Sequence, residues 1–214
     1  KSTVYELQFG GLSFFTSLAD IKGEAFAPAL DEVMTETIKI LKDKSGIVEK
    51  AKAKDEFTLD SDSEDEMEGN GEVYWNEDFM ETKSNALRAV GSFAKAASVQ
   101  FVKYFKDFLV LLDEFTDYIC DTVVFESIGT YEALMFALAK AHKALGSSQT
   151  SVNNFWVTEV FSKFEELINN TDDQQLVSEI ICSIYVIVDH FGKDLFVGNN
   201  TIDRCIQIAK SLLS

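Results

Sequence analysis

Six carboxylates and two hydroxyls fall within ten residues of this chain: Asp60, Ser61, Asp62, Ser63, Glu64, Asp65, Glu66 and Glu68. Like charges at this density repel, so the segment is expected to stay extended and mobile. A polyanion of this kind attracts lysine- and arginine-rich proteins over long range. The six acids are therefore candidate binding residues for basic partners; the plainer alternative is a solvated insertion with no specific role. Ser61 and Ser63 each have an acid three residues on, which suits an acid-directed kinase, and phosphate would deepen the charge. The Asp-x-Asp-x-Asp-Gly order of a calcium loop is missing, so no metal is assigned. Just beyond, Val73-Tyr-Trp-Asn-Glu-Asp-Phe79 sets aromatics among acids. Tyr74 and Trp75 are read as tacking the end of the insertion onto the scaffold.

A second set of acids is spaced along helical stripes, off their apolar faces. It comprises Asp31, Glu32 and Glu36, then Asp107, Asp113 and Glu114, then Glu159, Glu165 and Glu166. If equivalent helices line one concave surface, these carboxylates stack along it. Asp107, Asp113, Glu114, Glu165 and Glu166 are accordingly candidates for binding lysine side chains of an extended segment. Ordinary solvated helix faces are the alternative, and Lys103, Lys106 and Lys163 dilute the signal. No Ser–His–acid, Cys–His or glycine-rich phosphate arrangement is present, so neither catalysis nor a cofactor is expected. His142 and His190 each stand alone on a helix and are read as structural. Cys120, Cys182 and Cys205 have no close spacing, which excludes a disulfide framework or a zinc pattern; reduced thiols, mostly packed as small apolar groups in an intracellular protein, are expected.

The formal charge is −17, and 12 acids with no Lys or Arg lie between Asp55 and Glu81, leaving 24 acids against 19 bases elsewhere. That balance argues against direct nucleic-acid binding through a basic surface. No apolar run reaches the ~18 residues of a membrane span, so no membrane insertion is expected. With one proline, Pro28, and 18 phenylalanines in 214 residues, long helices with an ample core are favoured over a β-rich fold.

Those helices come in pairs. Leu18-Ala19-Asp20, Phe93-Ala94-Lys95, Leu138-Ala139-Lys140 and Ile187-Val188-Asp189 each end one apolar stripe and precede a break and a second stripe. Discounting residues 43–77 restores a repeat of roughly 40–47 residues, the period of two-helix HEAT or armadillo units. The expected class is an all-α solenoid of about four antiparallel pairs, at 1–42, 78–118, 119–170 and 171–214, with 43–77 an acidic, disordered insertion. The first pair is expected to bury Val4, Leu7, Phe14, Leu18 and Ile21. The last helix is expected to bury Ile202, Cys205, Ile206, Ala209 and Leu212. Gly10-Gly11 either kinks the first helix or admits close packing. The start at Lys1 and the apolar last turn suggest a molecule continuing in both directions.

Particular strings also resemble a known family. Glu81-Thr-Lys-Ser-Asn-Ala-Leu-Arg-Ala-Val-Gly-Ser-Phe-Ala-Lys-Ala-Ala97 resembles a HEAT first helix, and Phe101-Val-Lys-Tyr-Phe-Lys-Asp-Phe-Leu109 the helix that follows. Leu18-Ala-Asp-Ile-Lys-Gly-Glu-Ala-Phe-Ala-Pro-Ala-Leu30 resembles the inter-helix turn of the importin-β (karyopherin-β) family, and Ile187-Val-Asp-His-Phe-Gly-Lys-Asp-Leu195 resembles a second copy. An acidic stretch with Trp75 before an E-x-K-x-x-A helix is similar to importins that carry ribosomal proteins and histones. Ser127-Ile-Gly-Thr-Tyr-Glu-Ala-Leu134, in the third pair, lacks the Asp/Arg ladder pattern of such repeats. The resemblance implies a transport receptor shuttling between cytoplasm and nucleus. It would bind basic cargo on its concave face, Ran–GTP for release, and Phe-Gly nucleoporins on its convex face. A HEAT scaffold or regulatory subunit of a multiprotein complex is the other reading.

Overall fold

The computed structural model describes residues 2–49 and 73–212. They form an all-α protein, apart from one short two-stranded ribbon. The helices are α1 (Ser2–Lys22), α2 (Leu30–Lys42), α3 (Glu77–Ala96), α4 (Ser98–Phe101), α5 (Phe105–Asp113), α6 (Asp121–Leu145), α7 (Gln149–Phe155), α8 (Ser162–Asn170), α9 (Gln174–Phe191) and α10 (Thr201–Leu212). A π-helical turn, Trp156–Phe161, makes α7 and α8 one continuous rod.

Helix ends follow local chemistry. Asn76 caps α3 by accepting the Phe79 amide at 2.9 Å, and Asp173 caps α9 through the Gln175 amide at 2.8 Å. Gly146 closes α6 with a positive φ of 64°, the left-handed stop that glycine adopts without strain. The two strings resembling one inter-helix turn take the same form: 3₁₀ segments Gly23–Ala29 and Gly192–Phe196, each opening on a positive-φ glycine and burying one large residue, Phe26 or Leu195. Pro28 lies in the first of these segments, just ahead of α2.

Helices α1, α3, α6 and α9 pack side by side in that order. Asn85 of α3 donates to the Phe9 carbonyl (3.1 Å) and Ser13 Oγ (3.0 Å) of α1, and Thr130 of α6 donates to the Leu87 carbonyl of α3 at 3.1 Å. Gly91 lets α3 and α6 approach closely, since a Cβ there would stand 2.9 Å from Ala133 Cβ. The other helices form a second row. Phe105 of α5 meets Phe155 of α7 edge-on at 5.8 Å, and Phe101, Phe108, Trp156, Phe161 and Phe164 are fully buried between the rows.

Several expectations need correction. On α1 the buried residues are Tyr5, Leu12 and Ala19, whereas Val4, Leu7, Phe14 and Ile21 are exposed, Ile21 by 81%. The helix is apolar on two faces, and among the described residues its main neighbour is α3. On α10, Ile208 and Thr201 are buried, while Ile202, Ile206 and Ala209 are exposed and Cys205 is half-buried. Nothing lies within 4 Å of a Cβ added at Gly10 or Gly11, so close packing is not their role. Asp121–Leu145 and Gln174–Phe196 are long and apolar enough, by length and composition, to cross a membrane, whereas no apolar run of that length is expected from the sequence. In α6 that apolarity is used against flanking helices, which cover both its sides.

The insertion begins and ends in ordered structure. Ile47–Glu49 (β1) pairs antiparallel with Val73–Trp75 (β2), Ile47 opposite Trp75. Asn76 donates its amide to the Gly46 carbonyl at 2.9 Å, and a Cβ at Gly46 would collide with the Phe79 ring. Trp75 and Ile47 pack on the core, so the tacking role expected of Trp75 holds.

Candidate functional site

Consecutive members of the second row are tied by ion pairs, each with its acid on the earlier helix and its base on the later one. Asp31 of α2 holds Lys103, before α5, at 2.6 Å and also accepts from the Tyr104 hydroxyl at 2.7 Å. Asp113 of α5 holds Lys163 of α8 at 2.6 Å. Glu165 of α8 holds Arg204 of α10 in a two-pronged contact, with Nε at 3.0 Å. The first row carries a pair of the opposite sense, Arg88 of α3 with Glu126 of α6. This brace reaches the third pair even though its sequence lacks the familiar Asp/Arg pattern.

The ladder changes the standing of the sequence candidates. Asp113, Glu165 and Glu166 are on the surface as expected, but each faces a cation of the chain, Glu166 lying 3.1 Å from Lys163. Asp107 and Glu114 are exposed. Asp60, Ser61, Asp62, Ser63, Glu64, Asp65, Glu66 and Glu68 lie outside the described residues. The structure thus brings together Asp113, Glu166 and, from outside the main candidate set, Glu159.

They meet at an open groove of about 750 Å³ between α5 and the α7–α8 rod, floored by α6. Its walls include Val102, Leu109 and Val110 on one side and Phe155 on the other. Its polar groups are Asp113, Glu159, Glu166, Lys106, Lys163 and Tyr131. The π turn presents Glu159 here, and Ser162 Oγ donating to the Val157 carbonyl five residues back at 2.7 Å fits that wider turn. Tyr131 is only 3% exposed. Its hydroxyl is held in the neutral form by burial and by Asp113, Glu159 and Glu166 nearby. Burial alone would depress the Lys163 ammonium, but Asp113 and Glu166 raise it above the usual lysine value. An elongated apolar trough with acids at one end can hold the stem of a long side chain and its cationic head.

A second cation went unread in the sequence. Lys83 of α3 is 1% exposed and donates to the last carbonyls of α2, Ile40 at 3.1 Å and Leu41 at 2.6 Å. Its ammonium lies 4.8 Å from the Phe79 ring centre and 5.6 Å from that of Phe115. Burial lowers it to about 8. The signal was available: Phe79, Lys83, Leu87 and Val90 fall on one helical stripe, so the lysine occupies a core position.

Reactive groups elsewhere are few. The three cysteines are free; Cys120 and Cys205 are half-buried, Cys182 is exposed, and burial pushes the Cys205 thiol up to about 11. His190 sits edge-on to Phe136 and Phe191, at 4.7 and 4.8 Å, in an aromatic contact. Among the described residues no cluster of three or more His, Cys, Asp or Glu is placed to hold a metal. No protein-family model matches this chain, and no curated protein matches it.

Proposed function

We propose that this chain is part of a HEAT-type helical solenoid of the importin-β kind, which binds basic protein segments without chemistry. In this reading the full molecule carries cargo such as ribosomal proteins, histones or other proteins with basic localisation signals between cytoplasm and nucleus. Ran–GTP releases the cargo, and Phe-Gly nucleoporins bind the opposite face. Two rows of helices in regular succession, joined by recurring 3₁₀ turns, support the architecture. The observation that carries the binding role is the groove in which Asp113, Glu159 and Glu166 converge on the buried Tyr131 beneath apolar walls. The acidic segment, with most of the chain's net charge, would speed capture of a basic partner and shield it from nucleic acid.

The rival reading is a HEAT scaffold, and it is favoured by the self-neutralising ladder, which leaves fewer free carboxylates than the sequence suggests. Two variants separate the readings. Reversing charge with Asp113→Lys plus Glu114→Lys is expected to weaken a lysine-rich peptide about tenfold or more, by losing one partly desolvated attraction and adding repulsion. Deleting residues 55–72, which leaves β2 and α3 intact, is expected to slow association and flatten its salt dependence. Titration of both folded variants at two salt concentrations checks this. Unchanged affinity and unchanged salt slope in both would favour the scaffold.

A further inference from the structure

The groove already contains a cation. Lys163 projects from α8 to the α5 side, with Nζ 2.6 Å from Asp113 Oδ1 and 3.1 Å from Glu166 Oε2. Its side chain is only 17% exposed, while those two carboxylates are each more than half exposed. Below lies Tyr131, buried and lining the groove, with its hydroxyl in no hydrogen bond among the described residues. A phenol oxygen that reaches the groove can accept a hydrogen bond from a donor placed there. Asp113, Glu159 and Glu166 act on it, so the partner that fits is a donor cation. Here the groove offers a cation position with an unused acceptor and a resident ammonium held by carboxylates that remain open to solvent.

We propose that Lys163 is an internal placeholder: it occupies the cation position of the groove, and a lysine or arginine side chain from an extended protein segment displaces it on binding. The proposal rests on the reading of this groove as a binding site for basic segments. The other two rungs of the ladder, Asp31–Lys103 and Glu165–Arg204, do not line the groove. Asp113–Lys163 is the one of these three rungs whose exchange would leave a cation in place, because the incoming side chain supplies it. The incoming head is held by Asp113 and Glu166 and can also donate to Tyr131 Oη, while its alkyl stem lies along Val102, Leu109 and Val110. Displacement costs the resident pair, so the native lysine lowers affinity and sharpens selection for segments with a second favourable contact.

The two functions of Lys163, brace and placeholder, predict opposite results. In the wild-type chain, acylation of Lys163 by an amine-reactive ester, followed by peptide mapping, should be slow. It should accelerate several-fold when a lysine-rich peptide saturates the groove, while a glutamine-substituted control peptide leaves it slow. Lys163→Met should bind the lysine-rich peptide about five- to tenfold more tightly, since the competitor is gone and both carboxylates are free; Lys163→Arg, which keeps a cation, should stay within about twofold of wild type. If the wild type binds the peptide but Lys163 stays equally protected and Lys163→Met binds no more tightly, Lys163 is only a brace and the proposal fails while the binding reading stands. If folded wild type and variants all fail to bind, the binding reading falls and the placeholder with it. The acylation arm uses the unaltered chain and does not depend on a variant's folding.

Discussion

A Trp156→Ala variant loses about 3–5 kcal/mol of stability, the range for truncating a fully buried large aromatic. Trp156 is the largest of the completely buried side chains. Its ring lies against Phe161 at 5.2 Å, and its indole N–H donates to Thr201 Oγ1 at 3.2 Å. Thr201 opens α10 and is fixed in turn by Asn199, which accepts from both its amide (3.1 Å) and its hydroxyl (2.5 Å). One side chain therefore fills the α7–α8 core and anchors the start of the next pair. Removing it leaves a cavity, takes the indole donor from the Thr201 hydroxyl and leaves the helix unanchored. If successive pairs hold only their neighbours, the loss is directional. Amide exchange should accelerate most in residues 174–212 and least in residues 2–42. Uniform acceleration along the whole chain would show a single cooperative unit instead. Denaturant midpoints with exchange mass spectrometry measure both effects.

The Lys83 ammonium imposes a pH dependence on stability, again of about 3 kcal/mol. Its pKa is about 8 in the fold against 10.5 for a free lysine, and each unit of difference corresponds to about 1.4 kcal/mol. Below pH 8 both folded and unfolded chains hold the proton, and the fold bears the full cost of a buried charge. Between 8 and 10.5 only the unfolded chain keeps it, so this contribution makes stability rise with pH. Tyr118 acts in the opposite sense. Burial pushes its phenol up to about 12, so stability it contributes below pH 10 is lost between 10 and 12. Subtracting the stability curve of a Lys83→Met variant isolates the lysine: the wild type should gain about 2 kcal/mol on the variant between pH 7.5 and 10. A flat difference would mean that the α2 carbonyls and the flanking rings fully compensate the buried charge. Lys83→Ala, which also opens a cavity, should be less stable than wild type at every pH in that range.

Where one face of a helix is buried and the other polar, the sequence was enough. Leu87, Val90, Phe93, Ala94 and Ala97, with Phe101, Phe105, Phe108, Leu112 and Phe115, are all buried as their spacing required. On α1 the same logic misled, because an apolar helix with two stripes does not say which one has a neighbour. Three-residue strands leave no period to read, so the β1–β2 neck was invisible; yet Gly46, pressed against Phe79, marks the turn that makes it. Asp107, Asp113, Glu114, Glu165 and Glu166 stand at the surface, but the partners of Asp113, Glu165 and Glu166 do not show in the sequence. A carboxylate stripe reads as free in one dimension, and its cation stands 39 to 72 residues further on. Lys163 was counted as noise in an acidic surface and instead lies within the groove. The ring of Tyr131 belongs to the core, and its hydroxyl is what makes the floor of the groove polar.

The central claim is that a basic segment binds in the groove between α5 and the α7–α8 rod. Hydrogen–deuterium exchange of the chain, with and without a saturating lysine-rich peptide, tests it most directly. Protection is expected over residues 102–113 and 149–166, falling away at α1 and α10 and absent with a glutamine-substituted peptide. Protection confined to other helices, or no protection while the peptide is demonstrably bound, would contradict the claim.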